Sequence, residues 1–88
     1  MDIKKIKQVH LIGIGGIGIS AIAKMMIELK KQVSGSDLLK NSLTQDLEKL
    51  GAKIFYEHNV KNLDKNCDLV IYSPAIENDN PELVLAKK

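Results

Sequence analysis

The chain has no arginine, no tryptophan and a single cysteine, and among its 88 residues only Phe55, Tyr56 and Tyr72 are aromatic. Each shortage excludes a class of function. The lone Cys67 closes no internal disulfide and nothing near it has metal-ligand spacing, so it reads as a small, partly buried side chain. Nucleic-acid binders carry a basic stripe with arginine or aromatic readers. Here all 13 basic residues are lysines scattered along the chain, and 11 acidic residues leave a formal charge of +2, which predicts no nucleic-acid partner. No apolar run approaches the roughly 20 residues of a membrane span, which predicts no membrane association. The N-terminal MDIKKIKQVHLIGIG has the lysines and apolar run of a secretion signal, but glycines interrupt it and no small-residue cleavage site follows. A buried strand explains it better, and the expected compartment is the cytoplasm.

What remains is ordinary globular composition, 44% hydrophobic and 27% charged, without repeats or low-complexity runs. Residues 1–88 are expected to form one small domain. Val9 to Ile14 is a short apolar run of the kind buried on both faces of a parallel sheet. After Gly18 the period changes: Ile19, Ile22, Met25, Met26 and Leu29 recur at the spacing of one helix face. Gln32 to Ser36 predicts a second strand. Ser42 to Gln45 fits a capping box opening a helix to Leu50, with Leu43, Leu47 and Leu50 on one face and Gly51 closing it in a left-handed conformation. Lys53 to Tyr56 and Asp68 to Tyr72 read as the third and fourth strands. Asn80-Pro81 supplies a cap and a first-turn proline for a last helix through Leu83, Val84 and Ala86. This alternation predicts an α/β class, a Rossmann-like open parallel sheet with helices on both faces. Such a sheet would gain a further strand after the last helix, so the chain is expected to be a piece of something longer.

Gly13, Gly15 and Gly18 match G-x-G-x-x-G after a strand and before a helix. On the usual logic Gly13 makes the tight turn, Gly15 lets backbone amides approach a phosphate, and Gly18 permits close packing of helix on sheet. The helix N-terminus adds free amides and partial positive charge. Asp37, 19 residues after Gly18, is placed to accept from ribose hydroxyls, or alternatively to cap a turn. The pattern suits a uridine nucleotide and a nicotinamide cofactor equally; the absence of arginine disfavours a 2′-phosphate. No nucleophile elbow or ATP phosphate loop is present, and neither His10 nor His58 is near a matching carboxylate pair in sequence, so no catalytic residue and no metal ligand is assigned. The domain binds and does not by itself react.

Four blocks, HLIGIGGIGISAIA at 10–23, VSGSD at 33–37, TQDLEKLGAKIFYEHN at 44–59 and DLVIYSPAIENDNPEL at 68–83, together resemble the N-terminal domain of the Mur ligase family, in order and spacing over nearly the whole chain. That resemblance implies a cytoplasmic, ATP-dependent amide-bond ligase of peptidoglycan synthesis that joins L-alanine to UDP-N-acetylmuramate through an acyl phosphate. It further implies that these residues are its N-terminal, UDP-sugar-binding domain. ATP, Mg2+ and L-alanine would be held by missing domains, so the fragment alone is expected to have no cofactor and no ligase activity.

Carried over residue by residue, the amides of Gly15, Gly16, Ile17 and Gly18 would hold the diphosphate. Ser36 and Asp37 would approach ribose or uracil, His58 would lie at the uridine end, and Ser73, Ala75 and Ile76 would wall the crevice. Glu57 and Pro74 depart from the family pattern; Glu57 is expected to point to solvent, and Pro74 to stiffen its loop. His10, on the strand before the turn, is expected to be a satisfied structural histidine. The competing reading, an NAD-binding redox or sensor domain, leaves the YSPAIENDNPEL block at 72–83 unexplained.

Overall fold

The computed structural model describes residues 2–88. Its elements are β1 (Gln8–Ile12), α1 (Ile17–Glu28), β2 (Gln32–Ser36), α2 (Ser42–Lys49), β3 (Lys53–Phe55), β4 (Leu69–Tyr72) and α3 (Pro81–Ala86), with short 3-10 turns at Ile3–Lys5 and Val60–Asn62. The four strands form one parallel sheet in the order β3-β2-β1-β4. This is the expected Rossmann-like sheet, with β1 at its centre because both neighbours pair with it.

Strand alternation sorts the two faces. Val9 and Leu11, both wholly buried, pack in one apolar cluster with Ile19, Ala23 and Met26 of α1 and Leu47 of α2. His10 points the other way and hydrogen-bonds to Glu82 of α3. Helices therefore cover both faces, as expected. Two details of α1 differ from the sequence reading. Its buried residues are Ile19, Ser20, Ala23 and Met26, whereas Met25 and Leu29 are about half exposed at 48% and 50%. The inward stripe runs through Ile19, Ala23 and Met26, and the small Ala23 lets the helix lie close, turning Met25 and Leu29 outward. No helix among the described residues is long and apolar enough to cross a membrane.

Helix ends follow local chemistry. α1 closes without glycine: Lys30 takes φ 64°, and the Lys30 and Lys31 amides donate to Ile27 and Met26 carbonyls in a Schellman closure. α2 ends in the same way, with Gly51 at φ 111° as expected and Ala52 N–H donating to the Leu47 carbonyl. The start of α2 differs by one residue. The cap is Asn41, not Ser42: Asn41 Oδ1 accepts from the Thr44 amide and Thr44 Oγ1 accepts from the Asn41 amide, both at 2.9 Å. Threonine thus fills the role expected of Gln45. At α3 the Asn80 side chain accepts from the Glu82 and Leu83 amides, with Pro81 at the first helical position.

The cap assignment has a direct consequence for stability. Asn41→Ala is expected to destabilise the domain by about 1 kcal/mol in urea denaturation and Ser42→Ala by no more than a few tenths; the reverse order would return the cap to Ser42.

Candidate functional site

The carboxyl ends of all four strands release the candidate residues at one end of the sheet. At the end of β1 the chain turns sharply at Gly13, φ 80°, and the Gly13 and Ile14 amides both donate to the Ser36 carbonyl, at 2.7 and 3.0 Å. The glycine loop is thereby tied to the last residue of β2. Gly16 N–H donates to the Gly13 carbonyl at 3.0 Å, and Gly15 N–H to Asp37 Oδ2 at 2.9 Å. A Cβ on Gly15 would sit 2.9 Å from both Asp37 Oδ2 and Thr44 Cγ2, so this glycine is demanded by packing.

Two of the four amides expected to hold a diphosphate, those of Gly15 and Gly16, are therefore already engaged inside the protein. The first α1 amide with a helical partner is that of Ser20, which donates to Gly16. The cap, Gly16, has no side chain to offer, and the amides of Ile17, Gly18 and Ile19 have no partner among the described residues. Every helix leaves such donors at its start; here they lie beside an exposed stretch, Gly16 to Gly18. Gly18 does not have the packing role expected of it, since a Cβ there would meet nothing within 4 Å. The space above Gly18 is open for something outside the protein. Ile19 belongs with this set, and the rule that the third residue of a helix keeps an orphan amide would have found it.

Asp37 follows β2 and is half-buried. Its Oδ2 accepts from Gly15 and its Oδ1 from the Leu39 amide at 3.1 Å. The carboxylate thus performs the turn-capping role and also braces the loop, and with roughly four acceptor positions on a carboxylate, about two remain for ligand hydroxyls.

Ser36 differs from expectation. It is wholly buried, its hydroxyl donates to Glu82 Oε1 at 2.8 Å and lies 2.9 Å from His58 Nδ1, so its side chain faces the α3 layer and not the crevice. Glu82, which no local sequence signal marks, is the centre of this layer. Its carboxylate is fully buried and accepts from His10 Nε2 at 2.5 Å, Ser36 Oγ, the Asn59 amide at 3.1 Å and Asn62 Nδ2 at 3.0 Å. Burial pushes the Glu82 carboxyl up, but the hydrogen bonds from His10, Asn62, Ser36 and Asn59 outweigh it and hold the group down at about 2. His10, whose Nδ1 lies 2.7 Å from Ser34 Oγ, is a satisfied structural histidine as expected.

After β4, Ser73 to Ile76 fold into a turn in which the Ile76 amide donates to the Ser73 carbonyl and the Ala75 amide to Ser73 Oγ. Ile76 reaches the loop: its Cδ1 lies 2.9 Å from where a Cβ on Gly13 would be. Ile76 thus stands beside the cradle, with Ser73 and Ala75 in the same turn, and exposed Glu57 points to solvent. Cys67 is half-buried; burial pushes its thiol up and keeps it from acting as a ready nucleophile. Concavities of about 370 and 530 Å³ open around Gln8, Lys31 and Gln32, at the amino ends of the strands, and contain none of the candidate residues. Open α/β sheets bind ligands at the opposite end.

The family model described as "Mur ligase family, catalytic domain" matches residues 8–88. UDP-N-acetylmuramate–L-alanine ligases from Buchnera aphidicola and Acetivibrio thermocellus are 46% and 47% identical over 94% and 99% of the chain. The chain spans only 17% and 18% of the length of those relatives. The crystal structure of the UDP-N-acetylmuramate–alanine ligase of Thermotoga maritima superimposes with a TM-score of 0.85 at 42% identity, covering 91% of this chain and 18% of that one.

Two outcomes are expected from the site's construction. The Glu82 carboxyl sits below its ordinary value of 4.5 in the fold, so the unfolded chain takes up the proton first as pH falls. Stability is full above about pH 4.5 and declines toward pH 2 by on the order of 3 kcal/mol from this group. Thermal melts across that range should show a flatter acid limb for Glu82→Gln than for the wild type, and an equally steep limb in the variant would remove Glu82 from the account. Separately, Gly15→Ala is expected to cost about 1–3 kcal/mol through its clash with Asp37 and Thr44. Gly18→Ala is expected to stabilise the fold by about 0.5–1 kcal/mol, because alanine is the better helix former. Chemical denaturation of the two variants distinguishes a glycine kept for packing from one kept for open space.

Proposed function

The chain belongs to the Mur ligase family, and from that premise we propose that it is the part of a UDP-N-acetylmuramate–L-alanine ligase that binds the UDP-sugar. The observation that carries this reading is the set of three unpartnered amides at Ile17, Gly18 and Ile19, at a helix start whose Gly18 has open space where a Cβ would be and is required by no internal packing. Diphosphate oxygens match such donors: the amides are fixed in direction by the helix, and its partial positive charge favours an anion. Asp37 then receives ribose hydroxyls on its remaining acceptor positions while its bond to Gly15 keeps the loop in shape. Gly15 and Gly16 serve the diphosphate through shape, their amides being turned inward. Ser73, Ala75 and Ile76 form the wall on the β4 side, and His58 lies at the uridine end.

The chemistry proper, ATP-dependent joining of L-alanine to the sugar's lactyl carboxylate in the cytoplasm, requires ATP, Mg2+ and L-alanine. In this proposal all three are held outside these 88 residues. The family match supports that assignment, because the relatives are more than five times as long as the stretch they share with this chain. These residues position the substrate and carry out no bond making. Nothing supports the nicotinamide alternative, and the family match runs through residues 72–83, the block that an NAD reading leaves without explanation.

Titration of the 15N-labelled chain with UDP-N-acetylmuramate, UDP and NADH tests the proposal. Saturable shifts of the Ile17, Gly18 and Ile19 amides are expected with both uridine ligands. Shifts with NADH alone would overturn it.

A further inference from the structure

We infer that Glu82, acting through Ser36, is a positioning residue that fixes the proton of His58 on Nδ1 and so presents Nε2 to the crevice as a hydrogen-bond acceptor. The inference follows from counting protons. An ionised carboxylate only accepts, and the four groups around Glu82, namely His10 Nε2, Ser36 Oγ, the Asn59 amide and Asn62 Nδ2, each have a hydrogen to give. A serine hydroxyl has one hydrogen, and that of Ser36 goes to Glu82 Oε1. At 2.9 Å from His58 Nδ1, Ser36 Oγ is therefore the acceptor, and Nδ1 carries the proton. Glu82 Oε2 stands 3.6 Å from the same nitrogen and favours a positive hydrogen there.

The second ring nitrogen is then settled. In the neutral ring Nε2 holds a lone pair. It has no partner among the described residues, and since no buried side-chain polar atom among them lacks one, Nε2 is open to solvent. Ser36 also carries, on its backbone carbonyl, the two amides that start the glycine loop, and the next residue is Asp37. The histidine is thus anchored to the same β2 terminus that shapes the cradle. Resting on the proposal that a uridine nucleotide occupies the crevice, Nε2 is matched to a donor on that ligand, either a ribose hydroxyl or the imide N–H of the base.

Two measurements test this. Long-range 15N–1H correlation spectra of the ligand-free chain at about pH 8, where a histidine ring is ordinarily neutral, should show His58 protonated on Nδ1. Ser36→Ala should release it toward the Nε2-protonated form while leaving Glu82 three donors. Titration with UDP should then show Ser36→Ala and His58→Ala each weakening binding about tenfold, and the double variant no weaker than His58→Ala alone. An Nε2-protonated His58 in the wild type, or a Ser36→Ala penalty that persists without His58, overturns the inference. Absence of any UDP binding would count against the proposed ligand instead, while the ligand-free spectrum still decides the tautomer.

Discussion

One buried carboxylate holds the α3 side of this fold together. Glu82 is carried by a helix of six residues, too short to stand on its own hydrogen bonds, yet its side chain reaches His10 on the central strand, Ser36 at the end of β2, and Asn59 and Asn62 in the connection between β3 and β4. Taking a carboxylate out of water costs several kcal/mol unless the donors around it are complete. Here they are complete, so the cost is offset and the geometry becomes demanding: each partner must be in place for the others to be satisfied. Removing the anion would strand buried polar groups on three separate elements, which is a larger loss than the packing of α3 alone.

The α1 face of the sheet, at the carboxyl ends of the same strands, shows the opposite condition. At Glu82 every acceptor position is filled from within, whereas at the start of α1 three donors are left without a partner. Ser36 connects the two, its hydroxyl in the saturated layer and its carbonyl holding the turn of the glycine loop. Asp37 adds a second brace by engaging Gly15. The loop is shaped by contacts inside the chain, and the proposed diphosphate would require it to give up none of them. A site organised in this way loses little conformational entropy when its ligand arrives.

Much of this was legible in sequence. Strand alternation, the glycine loop between strand and helix, Gly51 and the Asn80-Pro81 start each follow from local rules, and each appears where those rules put it. The features that were not legible depend on distance. Glu82 lies at the second position of a helix, where an acidic residue is normally explained by the helix dipole and left in solvent, and its partner His10 is 72 residues away. A signal was nonetheless present: His10 and Ser36 lie in strands expected to be buried, and buried polar side chains need partners. The one-residue shift of the α2 cap has a local cause, since Asn41-x-x-Thr44 satisfies the same reciprocal geometry as the box expected from Ser42 and Gln45. The packing role that the glycine motif implies for Gly18 is a property of other loops, and only the three-dimensional surroundings reveal that nothing packs there.

The central claim, that the cradle is complete before its ligand arrives and keeps three amides free for a diphosphate, is tested most directly by a crystal structure of the chain with UDP-N-acetylmuramate. The account predicts diphosphate oxygens on the amides of Ile17, Gly18 and Ile19, with the Asp37 to Gly15 bond and the partners of Glu82 unchanged. A diphosphate that displaces Asp37 from the Gly15 amide, or that binds away from the start of α1, would contradict it.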